Sequence, residues 1–139
     1  MLHKIILGTM LMFAIPSPYA IAQNAQNGDT LTGHLELISS NIVADGDECY
    51  GTGGFNDIMG KIPVVIENES GTVIAVGETE TGKQPEEYSE VRCIFKFRVK
   101  NIPKSLFYTV KIGQQRGSKT LSRQQLKDRG WNLYLILHR

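Results

Sequence analysis

Few residues in this sequence have the types and spacing that catalysis needs. Outside the N-terminal segment discussed below, the histidines are His34, in a predicted strand, and His138, next to the C-terminus. No Gly-x-Ser-x-Gly elbow is present, and Glu86 and Glu87 fall in a polar stretch where a solvated surface is expected. We predict a protein without enzymatic activity, catalytic residues or cofactor; an enzyme of unrecognised type is the second alternative.

An acidic, glycine-rich segment is the one candidate for metal binding. It holds four carboxylates within 13 positions, namely Asp45, Asp47, Glu48 and Asp57. Calcium takes several oxygen ligands from a bent backbone, which such a segment supplies, but the spacing does not match an EF-hand loop. We favour the alternative, a flexible Gly/Asp loop that binds no metal, and keep these four residues as a calcium candidate.

The two cysteines, Cys49 and Cys93, predict one disulfide. An even number of cysteines in an exported chain usually forms disulfides. The alternatives are free thiols or metal ligands, and the second is disfavoured because no histidine lies near either cysteine. A bridge closing a loop of about 45 residues contributes about 4 kcal/mol of stability in the chain-entropy estimate.

The charges are distributed unevenly along the chain. Residues 23–90 carry 13 Asp and Glu against Lys61 and Lys83, whereas residues 91–139 carry 12 Lys and Arg against Asp128. In one interpretation, acidic and basic strands become neighbours and their charges pair. In the other, one strand presents a basic face to an anionic partner, formed by Arg92, Lys96, Arg98 and Lys100. We favour the first for stability; nucleic acid is not an expected partner, because the exported chain is neutral overall.

The N-terminus has the pattern of a cleaved signal peptide over residues 1–22. Lys4 precedes an apolar run over residues 5–15, and Ala20-Ile21-Ala22 places small residues at the positions that signal peptidase reads. The run is roughly half the about 20 residues that a membrane span needs. We therefore predict a secreted or periplasmic protein that begins at Gln23, with a flexible lead-in over 23–28 and no transmembrane span after cleavage.

The rest of the chain, residues 29–139, has the alternation of short β-strands. The clearest case is Glu90–Lys100, where Val91, Cys93, Phe95, Phe97 and Val99 share one face and the basic residues share the other. Leu31–Leu37 alternates similarly, and residues 39–60 and 79–89 are predicted loops. Further elements are a hairpin over 61–77, a strand over 106–112, a short helix capped by Ser122 and Gln125 and ended by Gly130, and a strand over 131–137.

These elements predict an all-β fold: a single β-sandwich of about six to eight short strands, with one short helix before the last strand. The last strand is apolar on both faces, so we expect it to be central in its sheet. A small β-barrel is the alternative. Repeated βαβ units are excluded because the connections are too short.

The hairpin also carries a resemblance. The stretch from Ile62 to Val76, with the later Cys93–Val99 and Leu106–Val110, resembles uncharacterised exported β-sandwich domains of bacteria. The hairpin alone, with Asn68 and Gly71 in its turn, is similar to transthyretin-like and carboxypeptidase-regulatory-like sandwiches. The resemblance implies a binding or accessory module, and no catalytic residue carries over from it.

We therefore expect an exported, non-enzymatic binding or accessory module whose ligand the sequence does not identify; an anionic partner in the envelope or outside the cell is the candidate. The first alternative is a structural or assembly subunit of the envelope that pairs through edge strands. A concentrated charged patch would favour binding, and a long apolar edge would favour assembly. A deep pocket holding His34 with a carboxylate would favour catalysis.

Overall fold

The computed structural model describes residues 28–87, 91–113 and 116–138. The predicted signal peptide and nearly all of the lead-in lie outside these ranges. The elements in chain order are β1 (Asp29–Ile38), β2 (Ile42–Asp45), β3 (Glu48–Gly51), a 3-10 turn (Gly53–Phe55), β4 (Pro63–Glu67), β5 (Val73–Glu78), β6 (Gly82–Lys83), β7 (Arg92–Ile102), β8 (Phe107–Ile112), β9 (Ser118–Ser122), α1 (Arg123–Asp128) and β10 (Asn132–His138). No helix within the described ranges has the length and apolar character that a membrane crossing needs.

The strands form two sheets. One has six strands in the order β10-β1-β7-β6-β3-β2, and the other has four in the order β5-β4-β8-β9. Neighbouring strands are antiparallel except β1 and β10, which are parallel. The predicted all-β fold, with one short helix before the last strand, is confirmed. The described part of the chain has more strands than the predicted six to eight, because four short ones, β2, β3, β6 and β9, were not recognised.

Alternating residues of both sheets meet in one core. β1 contributes Leu31, Leu35 and Leu37, all at most 1% exposed, and β7 contributes Cys93, Phe95, Phe97 and Val99. The second sheet places Val64, Ile66, Tyr108, Val110 and Ile112 against them. The opposite face of each strand is more exposed, which is the packing expected of two sheets stacked face to face.

Two segments predicted as loops contain short strands. In residues 39–60, β2 and β3 form a hairpin whose turn holds Gly46 at φ 66°, a left-handed conformation that glycine adopts without strain. In residues 79–89, β6 pairs with both β3 and β7. Like β9, these strands have only two to five residues, which is too short for alternation to reveal them.

The predicted disulfide joins β3 to β7, with an S–S distance of 2.02 Å between Cys49 and Cys93. Both cysteines are buried. Gly82 of β6 lies directly against the bridge, since a Cβ at that position would be 2.5 Å from Cys93 Sγ. The absence of a side chain at Gly82 therefore lets the three strands and the bridge pack together.

The helix and the last strand follow the sequence prediction only in part. Ser122 and Gln125 form the capping box of α1, and Gly130, at φ 62°, follows its end. The prediction that the last strand is central was wrong, because β10 lies at the edge of the six-stranded sheet. The apolar residues on its two faces differ in burial. Leu133 lies in the core, whereas Tyr134 and Ile136 on the other face are 58% and 56% exposed.

Candidate anion-binding face

Four cations of β7 lie on the outer face of the six-stranded sheet. We call Arg92, Lys96, Arg98 and Lys100 the basic face. Their side chains point outward because the residues between them are buried in the core. Lys96, Arg98 and Lys100 are exposed and Arg92 is half-buried. Val91, predicted on the inward side, precedes β7 and is 44% exposed.

On one side of β7, strand β1 places neutral residues next to Lys96 and Arg98. Lys96 lies opposite His34 of β1, and His34 in turn lies beside Tyr134 of β10. Arg98 lies opposite Thr32, which lies beside Asn132. On the other side of β7, Thr79 bridges Phe97 and the Glu80 N–H donates to the Lys96 carbonyl, so Glu80 of the acidic half lies beside Lys96 without forming an ion pair with it.

Arg92 differs from the other three cations. Its Nη1 donates to Glu36 Oε1 at 2.7 Å, and the two side chains are 24% and 12% exposed. Lys96, Arg98 and Lys100 make no ion pair with any residue in the described ranges. Three consecutive outward positions of one strand thus carry positive charges that make no ion pair with a described residue.

Elsewhere, the two halves of the chain do neutralise each other. Within the described ranges, four ion pairs join a cation after residue 90 to a carboxylate before it, namely Arg92 with Glu36, Lys111 with Glu67, Arg116 with Asp57, and Arg123 with Asp29. Internal pairing, the interpretation favoured from the sequence, therefore accounts for part of the uneven charge distribution. It does not extend to the rest of the basic face.

A shallow depression of about 320 Å³ adjoins the basic face. Its lining includes Lys96, Arg98, His34, Tyr134, Asn132 and Glu80. The rings of His34 and Tyr134 are in contact, with centroids 4.4 Å apart. Asn132 Oδ1 is buried and accepts no hydrogen bond from the described residues. The depression thus combines cations, an exposed aromatic ring and an amide acceptor.

Glu80 also lines this depression and connects it to a second one. Its backbone N–H donates to the carbonyl of Lys96 at 2.7 Å. The second depression, of about 410 Å³, is lined by the segment from Thr81 to Pro85 together with Ile94, Lys96 and Glu80. Since Arg92 is paired with Glu36, the net charge along this surface is positive, from Lys96, Arg98 and Lys100 against Glu80.

His34 and Glu80 share the first depression, which bears on the catalytic alternative. No hydrogen bond or ion pair joins them in the described ranges, and the ring of His34 instead packs on Tyr134. The depression is shallow and open, and so differs from the deep pocket holding His34 with a carboxylate that would favour catalysis.

Three of the four calcium-candidate residues, Asp45, Asp47 and Glu48, lie at the β2–β3 hairpin, where Asp45 is opposite Glu48, whereas Asp57 follows the 3-10 turn. Asp47 and Glu48 face Lys83, at 3.3 and 3.6 Å. Arg116 donates to both carboxylate oxygens of Asp57 and holds the pKa of that carboxyl below its ordinary value. In the described part of the chain, no group of three or more His, Cys, Asp or Glu side chains is arranged to hold a metal ion.

Sequence reasoning identified the cations of this face but not their neighbours. Alternation along β7 was enough to place Lys96, Arg98 and Lys100 on one side. Thr32, Asn132, Tyr134 and Glu80 reach the same surface through strand order and through the contact of Glu80 with β7. No protein-family model, curated protein or solved structure matches this chain.

Proposed function

We propose that this protein is an exported, non-catalytic binding module that holds an anionic ligand or partner of the envelope or the extracellular space on its basic face. The observation that carries the proposal is the run of Lys96, Arg98 and Lys100, exposed and without ion pairs in the described ranges. The hairpin's similarity to transthyretin-like and carboxypeptidase-regulatory-like sandwiches, which serve as binding or accessory modules, agrees with it.

The charges of this run are more useful to binding than to folding. Side chains two residues apart on a strand are about 6.8 Å apart. The repulsion between such neighbours is about 0.3 kcal/mol after screening at 0.1 M salt. The three cations form two such neighbouring pairs, so removing their charges should change the free energy of unfolding by about 0.7 kcal/mol or less. An anion placed among them would gain attraction from all three.

The test replaces Lys96, Arg98 and Lys100 with glutamine and measures retention on immobilised heparin and on immobilised polygalacturonate. The first probe is a sulfated polyanion and the second a carboxylated one. The matched control replaces Lys104, Lys127 and Arg129, two lysines and an arginine that are also exposed and make no ion pair with described residues. Both variants lose three positive charges, so they differ only in the positions from which the charges are removed.

We expect the parent and the control to elute at similar salt concentrations, and the basic-face variant to elute at clearly lower salt. Its urea midpoint should match that of the parent. Equal shifts of the two variants would mean that net charge alone determines retention, and an unshifted basic-face variant would mean that the anions bind elsewhere. Either result would refute the proposal.

A structural or assembly role is the second candidate function. One observation favours it: β10 is an edge strand of seven residues that carries exposed apolar side chains. Edge strands of this kind pair readily with another chain unless charge, proline or a bulge prevents it. The two functions are compatible, because the basic face belongs to β7 and the free edge belongs to β10.

A further inference from the structure

The edge formed by β10 differs from the three other sheet edges. From Asn132 to His138 it contains no Lys, Arg, Asp, Glu or Pro and no register shift. β2 has four residues and ends in Asp45, and β9 contains Lys119. β5 contains Glu78 at one end and has a register shift in its pairing with β4 near the other end, between Val73 and Ala75. Among the edges of the described sheets, β10 thus lacks the charges, prolines and bulges that usually prevent an edge strand from pairing with another chain.

The backbone of β10 leaves half of its hydrogen-bonding groups facing away from the sheet. The Thr32 N–H donates to the Trp131 carbonyl at 3.0 Å, so residue 131 directs its carbonyl towards β1. Backbone groups of successive strand residues alternate in direction. Those of Leu133, Leu135 and Leu137 therefore face β1, and those of Asn132, Tyr134, Ile136 and His138 face outward. Within the described ranges, no strand pairs with that side.

We propose that β10 pairs with β10 of a second copy of this chain, antiparallel and with the two-fold axis at Leu135, so that the two six-stranded sheets become continuous. In this register, Tyr134 lies opposite Ile136 of the second copy and Asn132 lies opposite His138. These are the hydrogen-bonded pairs, and they use every outward N–H and C=O of β10. Leu135 faces its own counterpart.

The side chains make the strand complementary to itself. Directly opposite residues of an antiparallel pair share one face of the sheet. The outer face thus pairs the exposed Tyr134 with the exposed Ile136, twice. On the inner face, Leu135 and Leu137 already pack partly against the core, and the pairing places Leu137 beside Leu133 of the second copy. Apolar contact therefore forms on both sides of the new sheet junction.

Charge also favours a second copy of this chain as the occupant. β10 carries no formal charge at neutral pH, so identical strands meet without repulsion. The two basic faces lie on β7, separated across the joined sheet by five strand spacings of about 4.8 Å, or about 24 Å. This exceeds the Debye length of about 8 Å at physiological salt, so their mutual repulsion is screened. The inference goes beyond the proposed binding function and does not depend on it.

The first test is sedimentation velocity of the full chain over a range of concentrations, with variants of the edge. Ile136→Pro removes an outward N–H, a change that edge strands tolerate. It deletes two ladder hydrogen bonds from the dimer, which should weaken association about 10- to 100-fold. Ile136→Lys adds the edge charge that β10 lacks. The matched control is Val76→Lys on the β5 edge, where Val76 is 64% exposed and Ile136 is 56% exposed.

We expect a dimer for the parent and for Val76→Lys, and a monomer for both Ile136 variants at the same concentration. A parent that stays monomeric at every concentration would overturn the proposal, whether its edge is covered by residues 23–27, by another protein or by nothing. A dimer that survives both Ile136 changes, or one that Val76→Lys disrupts, would also overturn it.

The second test measures the register. Directly opposite residues of a non-hydrogen-bonded pair have Cα atoms about 4.5 Å apart, a distance that a disulfide spans. Leu135→Cys should therefore give a covalent dimer under mild oxidation, seen on a non-reducing gel. Leu137→Cys is the control, because residue 137 lies opposite residue 133 and far from its own counterpart. Failure of Leu135→Cys to cross-link, or equal cross-linking of both, would refute the two-fold axis at Leu135.

Discussion

Replacing both Cys49 and Cys93 with alanine should lower the free energy of unfolding by about 4 kcal/mol. The bridge joins residues separated by 44 positions. In the chain-entropy estimate, a closed loop of that length removes about 13 cal/mol/K from the unfolded chain, which is about 4 kcal/mol at 25 °C. The two cysteines are at most 1% exposed, so alanine at each position also removes buried sulfur contacts. The estimate is therefore a lower bound on the total loss.

Urea unfolding monitored by tryptophan fluorescence is a suitable assay, because the chain has a single tryptophan. Trp131 is half-buried and packs edge-on against Tyr108, with ring centroids 5.7 Å apart, so its emission should change on unfolding. Slopes of 1–3 kcal/mol per molar urea convert a loss of about 4 kcal/mol into a midpoint shift of about 1.3–4 M. The control is the parent protein unfolded in the presence of a thiol reductant.

The reduced parent should lose nearly as much stability as the double alanine variant, since both lack the constraint on the unfolded chain. A double variant within about 1 kcal/mol of the oxidised parent would refute the reasoning from loop closure. The reasoning would also be refuted if the reduced parent were as stable as the oxidised parent while the double alanine variant lost stability. The loss would then come from side-chain packing alone.

Two further predictions concern a buried hydroxyl and the N-terminus. Tyr108→Phe should lower stability by about 1–3 kcal/mol, because the buried hydroxyl accepts from Ser105 N and from Arg123 Nη1, both at 2.8 Å, and donates to the Pro103 carbonyl at 3.0 Å. The control Tyr134→Phe should stay within about 0.5 kcal/mol of the parent in the same urea assay, since Tyr134 is exposed; equal losses would contradict the role of the hydroxyl. Mass spectrometry of the extracytoplasmic protein should find Gln23 at the N-terminus, and recovery of Met1 there would rule out the predicted cleavage.

Features that depend on neighbouring residues were predictable from the sequence. The period of two in β1 and β7 identified the inward residues, because side chains of a strand alternate between its faces. The β4–β5 turn is also local: Asn68 Oδ1 accepts hydrogen bonds from the N–H groups of Ser70 and Thr72, both at 3.0 Å. The capping box at Ser122 needs only its own four residues. The disulfide was predictable for a different reason, since two cysteines allow one intramolecular pairing.

Which strands become neighbours was decided only by the tertiary structure. β1 and β10 pair although Thr32 and Trp131 are 99 positions apart, and nothing in either strand specifies that partner. The same pairing places β10 at an edge and puts Asn132 and Tyr134 beside the basic face. It also determines which charges are neutralised: Arg92 reaches Glu36 of β1, whereas the β1 residues opposite Lys96 and Arg98 are neutral. Alternation assigns a side chain to a face of its own strand, but hydrogen bonding between distant segments determines what lies next to it.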